Sequence, residues 1–519
     1  MTDVKSIAKL AHLTLTNQEL KLYSKQFKAI LGYIDQLSKV DTKGIKPTFQ
    51  TIDNTTNIWR NDKVRPCLTQ KQALSSASKT HQGYFVADHV FSPTNLPSSS
   101  FPRRRESIKS KEKQDEYGAI LTKVDSKGTV GHKDLFCTKG IETTAGSKVL
   151  LGYIPQYSAT LVKQLENLGL KTKHKLNQDA WGHGSSGENS DFFPTQNPWD
   201  KKRVAGGSSS GSAATVATGE VELATGTDTC GSIRMPSAYC NVTGLKPTYG
   251  AISRYGLIAF ASSLDCPGLI TTSAKKLKKI YKSVAVPDPL DATSQSPSRN
   301  KTKTKPIKTI GVPKEFLLKG LDPKIKTLTL KAADQFKKAG YKIKEVSLPH
   351  AHLAIATYYI IAPVEASSNL ARYDGVRYGY PRNHFGPEAK RRIMLGTFAS
   401  SVGYADKYYE KAAKVRTLII NDFKKAFGSV DAILAPISPT PAFLLGEKVD
   451  DPLKLYLMDI YTAPASLAGL PAVSVPCGFS NKLPVGMQLI GPRWNDLELL
   501  NLAEKYQQLT NWHKQKPNI

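Results

Sequence analysis

The 519-residue chain has no apolar run of the roughly 18–20 residues that a membrane-spanning helix needs. Its start, MTDVKSIAKL, lacks the basic region, apolar core and small-residue cleavage site of a secretion signal. These two absences make the cytoplasm the expected setting, with no membrane as partner. Cysteine is scarce and scattered. The six, at 67, 137, 230, 240, 266 and 477, form no CxxC pair, so neither a zinc site nor a disulfide framework is expected. Acidic residues are few beside the basic ones, 43 against 72, for a formal net charge of +29. That excess permits non-specific attraction to nucleic-acid phosphates, but it is spread along the chain and does not by itself identify such a partner. The length exceeds what one hydrophobic core holds, so more than one unit is expected.

What the chain does have is concentrated between Ala205 and Pro236. Two glycine/serine turns stand there, Gly206-Gly207-Ser208-Ser209-Ser210-Gly211-Ser212 and Asp228-Thr229-Cys230-Gly231-Ser232. Between them runs Ala213-Ala214-Thr215-Val216-Ala217, which reads as the start of a buried helix rather than as a polar linker. Glycine lets backbone N–H groups approach a ligand, and successive free N–H groups make an anion-binding concavity. A serine at the end of such a turn is placed to be a nucleophile beside its own oxyanion donors.

This stretch resembles the amidase signature family, whose pattern is roughly GGSSGGSA followed by GSDTGGSIR. The resemblance implies a serine nucleophile, a bridging serine held by a cis peptide bond, and a lysine base. By position Ser232 matches the nucleophile and Ser208 the bridging serine. Lys133, in Val130-Gly131-His132-Lys133-Asp134-Leu135, matches the lysine. The backbone N–H groups of Thr229, Cys230 and Gly231, with that of Ser232, are the implied oxyanion donors. Desolvation disfavours the charged form of a buried lysine, so burial would turn Lys133 into a base that takes the Ser232 proton through the Ser208 hydroxyl.

The N-terminal part is built differently. Thr16 and Glu19 form a capping box, and Leu20, Tyr23, Phe27, Ile30, Ile34 and Leu37 follow at spacings of three and four. The stripe needs a partner, and none is evident within residues 1–91, so it is expected to dock on the larger unit. Residues 43–91 read as an extended strap. This region resembles the C subunit of the tRNA-dependent amidotransferase, through runs such as Val40-Asp41-Thr42-Lys43-Gly44-Ile45-Lys46-Pro47-Thr48, Arg60-Asn61-Asp62 and Gly83-Tyr84-Phe85-Val86. Residues 92–116, rich in Pro, Ser and charge, read as a flexible linker. Its triple arginine 103–105 is more simply a solvated stretch than an RNA contact. Residues 117–519 carry the amidase resemblance, and alternating strands and helices imply an α/β fold with a central mixed β-sheet covered by helices.

Segments around Tyr358, Arg391-Arg392 and Met458-Asp459-Ile460 resemble the glutamine-specific A subunit of the same enzyme. The resemblance fits the substrate's chemistry: Arg392 would pair with the α-carboxylate of L-glutamine, Asp459 with its α-ammonium, and Tyr358 would line the amide end. Arg391 and Tyr359 compete with their neighbours for these roles. The whole then resembles a fusion of the C and A subunits of the aspartyl/glutamyl-tRNA amidotransferase. It implies no cofactor in this chain, and a separate B subunit that uses ATP and Mg²⁺ and holds the mischarged tRNA. The rivals are a free-standing hydrolase of small amides and a scaffold that has lost activity. Four departures from the pattern stand out: Ser210 and Cys230 replace glycines, little chain precedes the lysine motif, and the loop 380–390 is short. If position 230 requires φ > 0, its side chain costs about 1 kcal/mol or more.

Overall fold

A computed structural model describes residues 3–52, 62–64, 66–77, 79–87, 111–295, 305–318 and 320–519. Most of the expected linker (92–110, with its triple arginine), Arg60 and Asn61, and most of the basic run 299–308, expected as an exposed loop, lie outside these residues. An eleven-stranded sheet forms the centre. In chain order its strands are β1 (Ile120–Lys123), β2 (Val130–Lys133), β3 (Thr172–Leu176), β4 (Leu223–Thr227), β5 (Thr243–Lys246), β6 (Pro267–Thr271), β7 (Thr309–Pro313), β8 (Lys342–Val346), β9 (Ala432–Pro436), β10 (Ala472–Ser480) and β11 (Leu483–Ile490). Across the sheet they run β8-β7-β9-β11-β10-β5-β6-β4-β2-β3-β1. β2 lies parallel to β3 and β4, and β7 lies parallel to β8 and β9. The other pairs are antiparallel, so the sheet is mixed, as expected. Its central strands are buried throughout, and they read as continuous apolar or small-residue runs because helices cover both faces.

The short apolar runs at 433–435 and 472–475 are strands β9 and β10. The Thr160–Asn167 and Pro323–Lys338 helices end beside Gly169 and Gly340, both at positive φ. The stretch between linker and lysine motif, where a helical lead-in is reduced, contributes β1 at the sheet edge. The linker read as ending at Glu116 meets the larger unit earlier. Lys111 pairs with Glu142 at 2.5 Å, and the Asp115 carboxylate accepts from the backbone of Ala119 and Ile120. The composition of residues 111–116 is charged, but three of those charges, on Lys111, Asp115 and Glu116 (paired with Lys201), are used in fixed contacts.

The N-terminal unit forms two helices, Val4–Leu10 and Asn17–Ile34. Thr16 and Glu19 cap the second reciprocally. Tyr23, Phe27, Ile30, Ile34 and Leu37 are buried, and Leu20 packs against the same core. That core is shared with the Ala354–Asn369 and Pro387–Ser400 helices, so the stripe does dock on the larger unit. Polar contacts set the register. Tyr23 Oη donates to the Pro387 carbonyl at 3.1 Å, Lys390 pairs with Glu19 at 2.7 Å, and Arg391 Nε donates to Gln26 Oε1 at 2.9 Å. The stretch read as a short loop at 380–390 is helical from Pro387, and the part before that helix contributes: Arg382 Nη2 donates to the Ala11 carbonyl at 3.1 Å. From Val40 to Phe49 the chain is a strap along the Lys411–Phe427 helix, whereas the later part of the stretch expected to be extended holds a short helix, Gln70–Leu74, capped by Thr69, and a two-stranded hairpin, Thr80–His81 with Tyr84–Phe85. Thr48 N–H donates to the Ala413 carbonyl and Arg416 Nη1 to the Phe49 carbonyl, both at 3.0 Å.

Candidate active site

β2 and β4 are parallel neighbours, so their carboxyl ends open on the same edge of the sheet, where open α/β sheets commonly bind ligands. Lys133 is the last residue of β2 and Thr227 the last of β4. The Lys133 ammonium nitrogen is fully buried and lies 2.7 Å from Ser208 Oγ, 3.0 Å from Ser209 Oγ and 2.8 Å from Thr227 Oγ1. Burial pushes its pKa down to about 7, against the raising influence of Asp179, Asp228 and Asp265. Asp179 moves the opposite way, to about 6, chiefly through its own burial. Both shifts favour the neutral forms.

The first turn enters through a cis Gly207–Ser208 peptide bond. Only glycine fits at 207: a Cβ there would overlap the Asp179 carboxylate and come within 2.8 Å of Gly187 N. The helix Ser210–Ala217 then begins, buried through Val216. Ser210, where the family pattern has glycine, fits by donating from its hydroxyl to Thr195 Oγ1 at 2.9 Å.

The second turn follows β4. Ser232 is 5 % exposed, and its carbonyl accepts the Ser209 N–H at 3.1 Å, which ties the two turns together. Among the described residues no protein acceptor takes the backbone N–H groups of Thr229, Cys230, Gly231 or Ser232. The turn is held from behind. Arg234 grips Asp228 with Nε at 3.0 Å and Nη2 at 2.9 Å, and also donates to the Cys230 carbonyl, Thr462 carbonyl, Gln488 and Ser466. Burial alone would raise the Asp228 pKa, but the Arg234 guanidinium outweighs it and the net shift is downward. Gly231 permits close approach: a Cβ would sit 2.5 Å from Thr462 Oγ1 and 2.9 Å from Asp459 Oδ1. Cys230 is not at positive φ, so the strain considered for its side chain does not arise. Its thiol is buried next to Asp459, and burial first, then that carboxylate, pushes its pKa well up.

Arg392, Asp459 and Tyr358 converge on the same place from distant parts of the chain. The two adjacent arginines divide: Arg391 turns to Gln26 and the Tyr23 ring, whereas Arg392 turns inward and packs over Phe260, Tyr359 and Tyr456. Glu388 serves both, with Oε1 2.7 Å from Arg392 Nε and Oε2 on Arg391. Among the described residues Arg392 Nη1 has no hydrogen-bond partner. Tyr358 faces Cys230, Arg392 and Asp459, while Tyr359 stacks on Tyr456 at 3.6 Å. Asp459 accepts from the Ser185 hydroxyl, and burial raises its pKa to about 6. Sequence reasoning missed Ser209, Thr227, Ser185 and Glu388. The first two sit in or beside the turns already singled out, and Glu388 lies four residues before Arg392 on one helix face. Ser185 carries no local signal. An open cavity of about 540 Å³, lined by Trp199, Arg203, Phe443, Glu447 and Lys482 among others, includes none of these residues.

The family model for Amidase matches residues 129–500, and that for the Glu-tRNAGln amidotransferase C subunit matches residues 15–86. The glutamyl-tRNA(Gln) amidotransferase A subunit of Myxococcus xanthus is 51% identical over 73% of this chain and 82% of its own. That of Geobacillus kaustophilus is 50% identical over 75% and 84%. The crystal structure of the Thermotoga maritima A subunit superposes with a TM-score of 0.65 at 42% identity, over 74% of this chain and 86% of that one. The chain therefore belongs to the amidase family, among relatives of the glutamyl-tRNA(Gln) amidotransferase A subunits, with a C-subunit-like segment joined ahead of its amidase domain.

Proposed function

We propose that this chain is the glutamine-hydrolysing component of a tRNA-dependent amidotransferase. The observation that carries the proposal is the buried Lys133 Nζ, 2.7 Å from Ser208 Oγ and poised near neutrality at the mouth of the Ser232 turn. Neutral Lys133 accepts the Ser208 hydroxyl proton as Ser208 takes the proton of Ser232. Ser232 Oγ attacks the carboxamide carbon of L-glutamine, and the N–H groups of Thr229, Cys230, Gly231 and Ser232 receive the oxyanion. Collapse of the tetrahedral intermediate returns the proton through Ser208 to the leaving nitrogen, which departs as ammonia. A water then attacks the acyl-enzyme, gives up its proton to the same relay, and releases glutamate. Arg392 holds the α-carboxylate, Asp459 with Ser185 the α-ammonium, and Tyr358 the amide end.

The ammonia would pass to a B subunit that binds mischarged tRNA and uses ATP and Mg²⁺ to form Gln-tRNA(Gln), Asn-tRNA(Asn) or both, in a cytoplasmic assembly. The names of the A-subunit relatives and the C-subunit match support this reading. No helix among the described residues is long and apolar enough to cross a membrane. Glutamate release from L-glutamine tests the chemistry. Ser232→Ala should lower turnover by about 10⁴-fold or more while the protein keeps its fold. A variant within tenfold of the parent rate would remove Ser232 as nucleophile.

A further inference from the structure

The loop from Gly182 to Ser185 runs along the site. A Cβ at Gly182 would lie 3.7 Å from Ser208 Oγ, and Ser185 holds Asp459. Between them stands His183, whose side chain is fully buried. Among the described residues, neither Nδ1 nor Nε2 has a hydrogen-bond partner. Its ring meets the Phe260 ring edge-on, with centroids 4.4 Å apart. The Arg392 guanidinium lies over that same Phe260 ring at 5.3 Å, and Arg392 Nη1 is likewise unpartnered. Two orphaned polar groups thus border the same Phe260 ring beside the candidate reacting turn. Buried polar groups without partners are costly and uncommon, so such a pair calls for a ligand group that takes both.

We propose that His183 is a substrate-binding residue, donating one ring N–H to the α-carboxylate of glutamine beside Arg392. The inference rests on the glutaminase reading above. The acceptor must be anionic or strongly basic, because it answers a guanidinium and an imidazole N–H together; the α-carboxylate is the group of glutamine that fits. The imidazole acts as a neutral donor. Burial, and then the nearby Arg392, push its pKa well below the usual histidine range, so it adds a hydrogen bond without a second buried cation. A site built to bond both carboxylate oxygens rejects amides that lack the carboxylate, because its buried donors then stay unpaired.

The test compares L-glutamine with 4-aminobutanamide, which keeps the amide and the amine but has no carboxylate. His183→Met should raise KM for glutamine about tenfold or more with kcat little changed, and leave kcat/KM for 4-aminobutanamide as it was. His183→Asn, which restores a donor, should recover part of the loss. Equal losses on both substrates, or an unchanged KM for glutamine, would overturn the proposal. Arg392→Lys run alongside separates it from the underlying reading. If Arg392→Lys raises KM for glutamine and His183→Met does not, His183 alone is misassigned. If neither does, or the parent protein does not hydrolyse glutamine, the pocket reading itself fails. A crystal structure of the Ser232→Ala protein with glutamine bound needs no change at His183. A ring nitrogen within hydrogen-bond distance of a carboxylate oxygen is expected, and a ring turned away from it overturns the inference even if His183→Met fails to fold.

Discussion

The two ends of the site are built on opposite plans. Around Lys133 the hydrogen-bond network is already closed: Ser208, Ser209 and Thr227 surround the ammonium nitrogen. Arg234 locks the turn behind Ser232 to Asp228 and to the 462–466 segment. At the proposed recognition end, His183 and one arm of Arg392 are buried with no hydrogen-bond partner among the described residues. The difference follows from what each end must do. A buried lysine acts as a base only if its surroundings hold it neutral and oriented before substrate arrives. A recognition pocket gains affinity and selectivity by leaving its donors unpaired until the right ligand pairs them.

The sharpest way to break this contrast is at Lys133. Lys133→Ala should cost about 10³- to 10⁴-fold in kcat, and combining it with Ser208→Ala should add little, because the two act as one relay. The pH profile carries the same information. The base must be unprotonated, so kcat/KM should rise with pH through about 7 and level off above it. A flat profile between pH 6 and 8 would mean that Lys133 is not the titrating base.

A smaller effect is expected at the open end. Asp459→Asn removes the charge opposite the α-ammonium and should raise KM for glutamine about 10- to 100-fold, with little change on an amide lacking the amine. Equal losses on both substrates would show that Asp459, through Ser185 and Thr462, merely supports the loop.

The mildest effect on chemistry should come from the docked N-terminal unit. Phe27 is 2 % exposed in the core shared with the Pro387–Ser400 helix. Phe27→Asp buries a charge there at a cost on the order of several kcal/mol and should release the unit. Limited proteolysis should then cut within residues 3–87, and association with a B subunit should be lost. Glutamine turnover should fall by less than about tenfold, an effect carried through Gln26, Arg391 and the shared Glu388. Unchanged protease resistance together with retained B binding would show that the stripe does not hold the two units together.

Much of the candidate reaction centre was readable along the chain, because its parts are local. The turn residues Ser208 to Ser212 and Asp228 to Ser232 are contiguous, and Lys133 stands in a short recognisable run. The capping box at Thr16 and the apolar stripe after it are likewise properties of neighbouring residues and of helical spacing, so the docked helix was readable too. Tertiary structure decided what spacing could not. Arg391 and Arg392 are chemically identical and adjacent, and only packing sends one to Gln26 and the other to the pocket. The same holds for Tyr358 and Tyr359, which the Tyr456 ring tells apart. His183 and Ser185 have no motif of their own; they gain meaning only because the sheet's carboxyl edge brings their loop against Arg392 and Asp459. Chain-local geometry is written in nearest neighbours, whereas orphaned donors and shared aromatic surfaces exist only once segments hundreds of residues apart exclude water together.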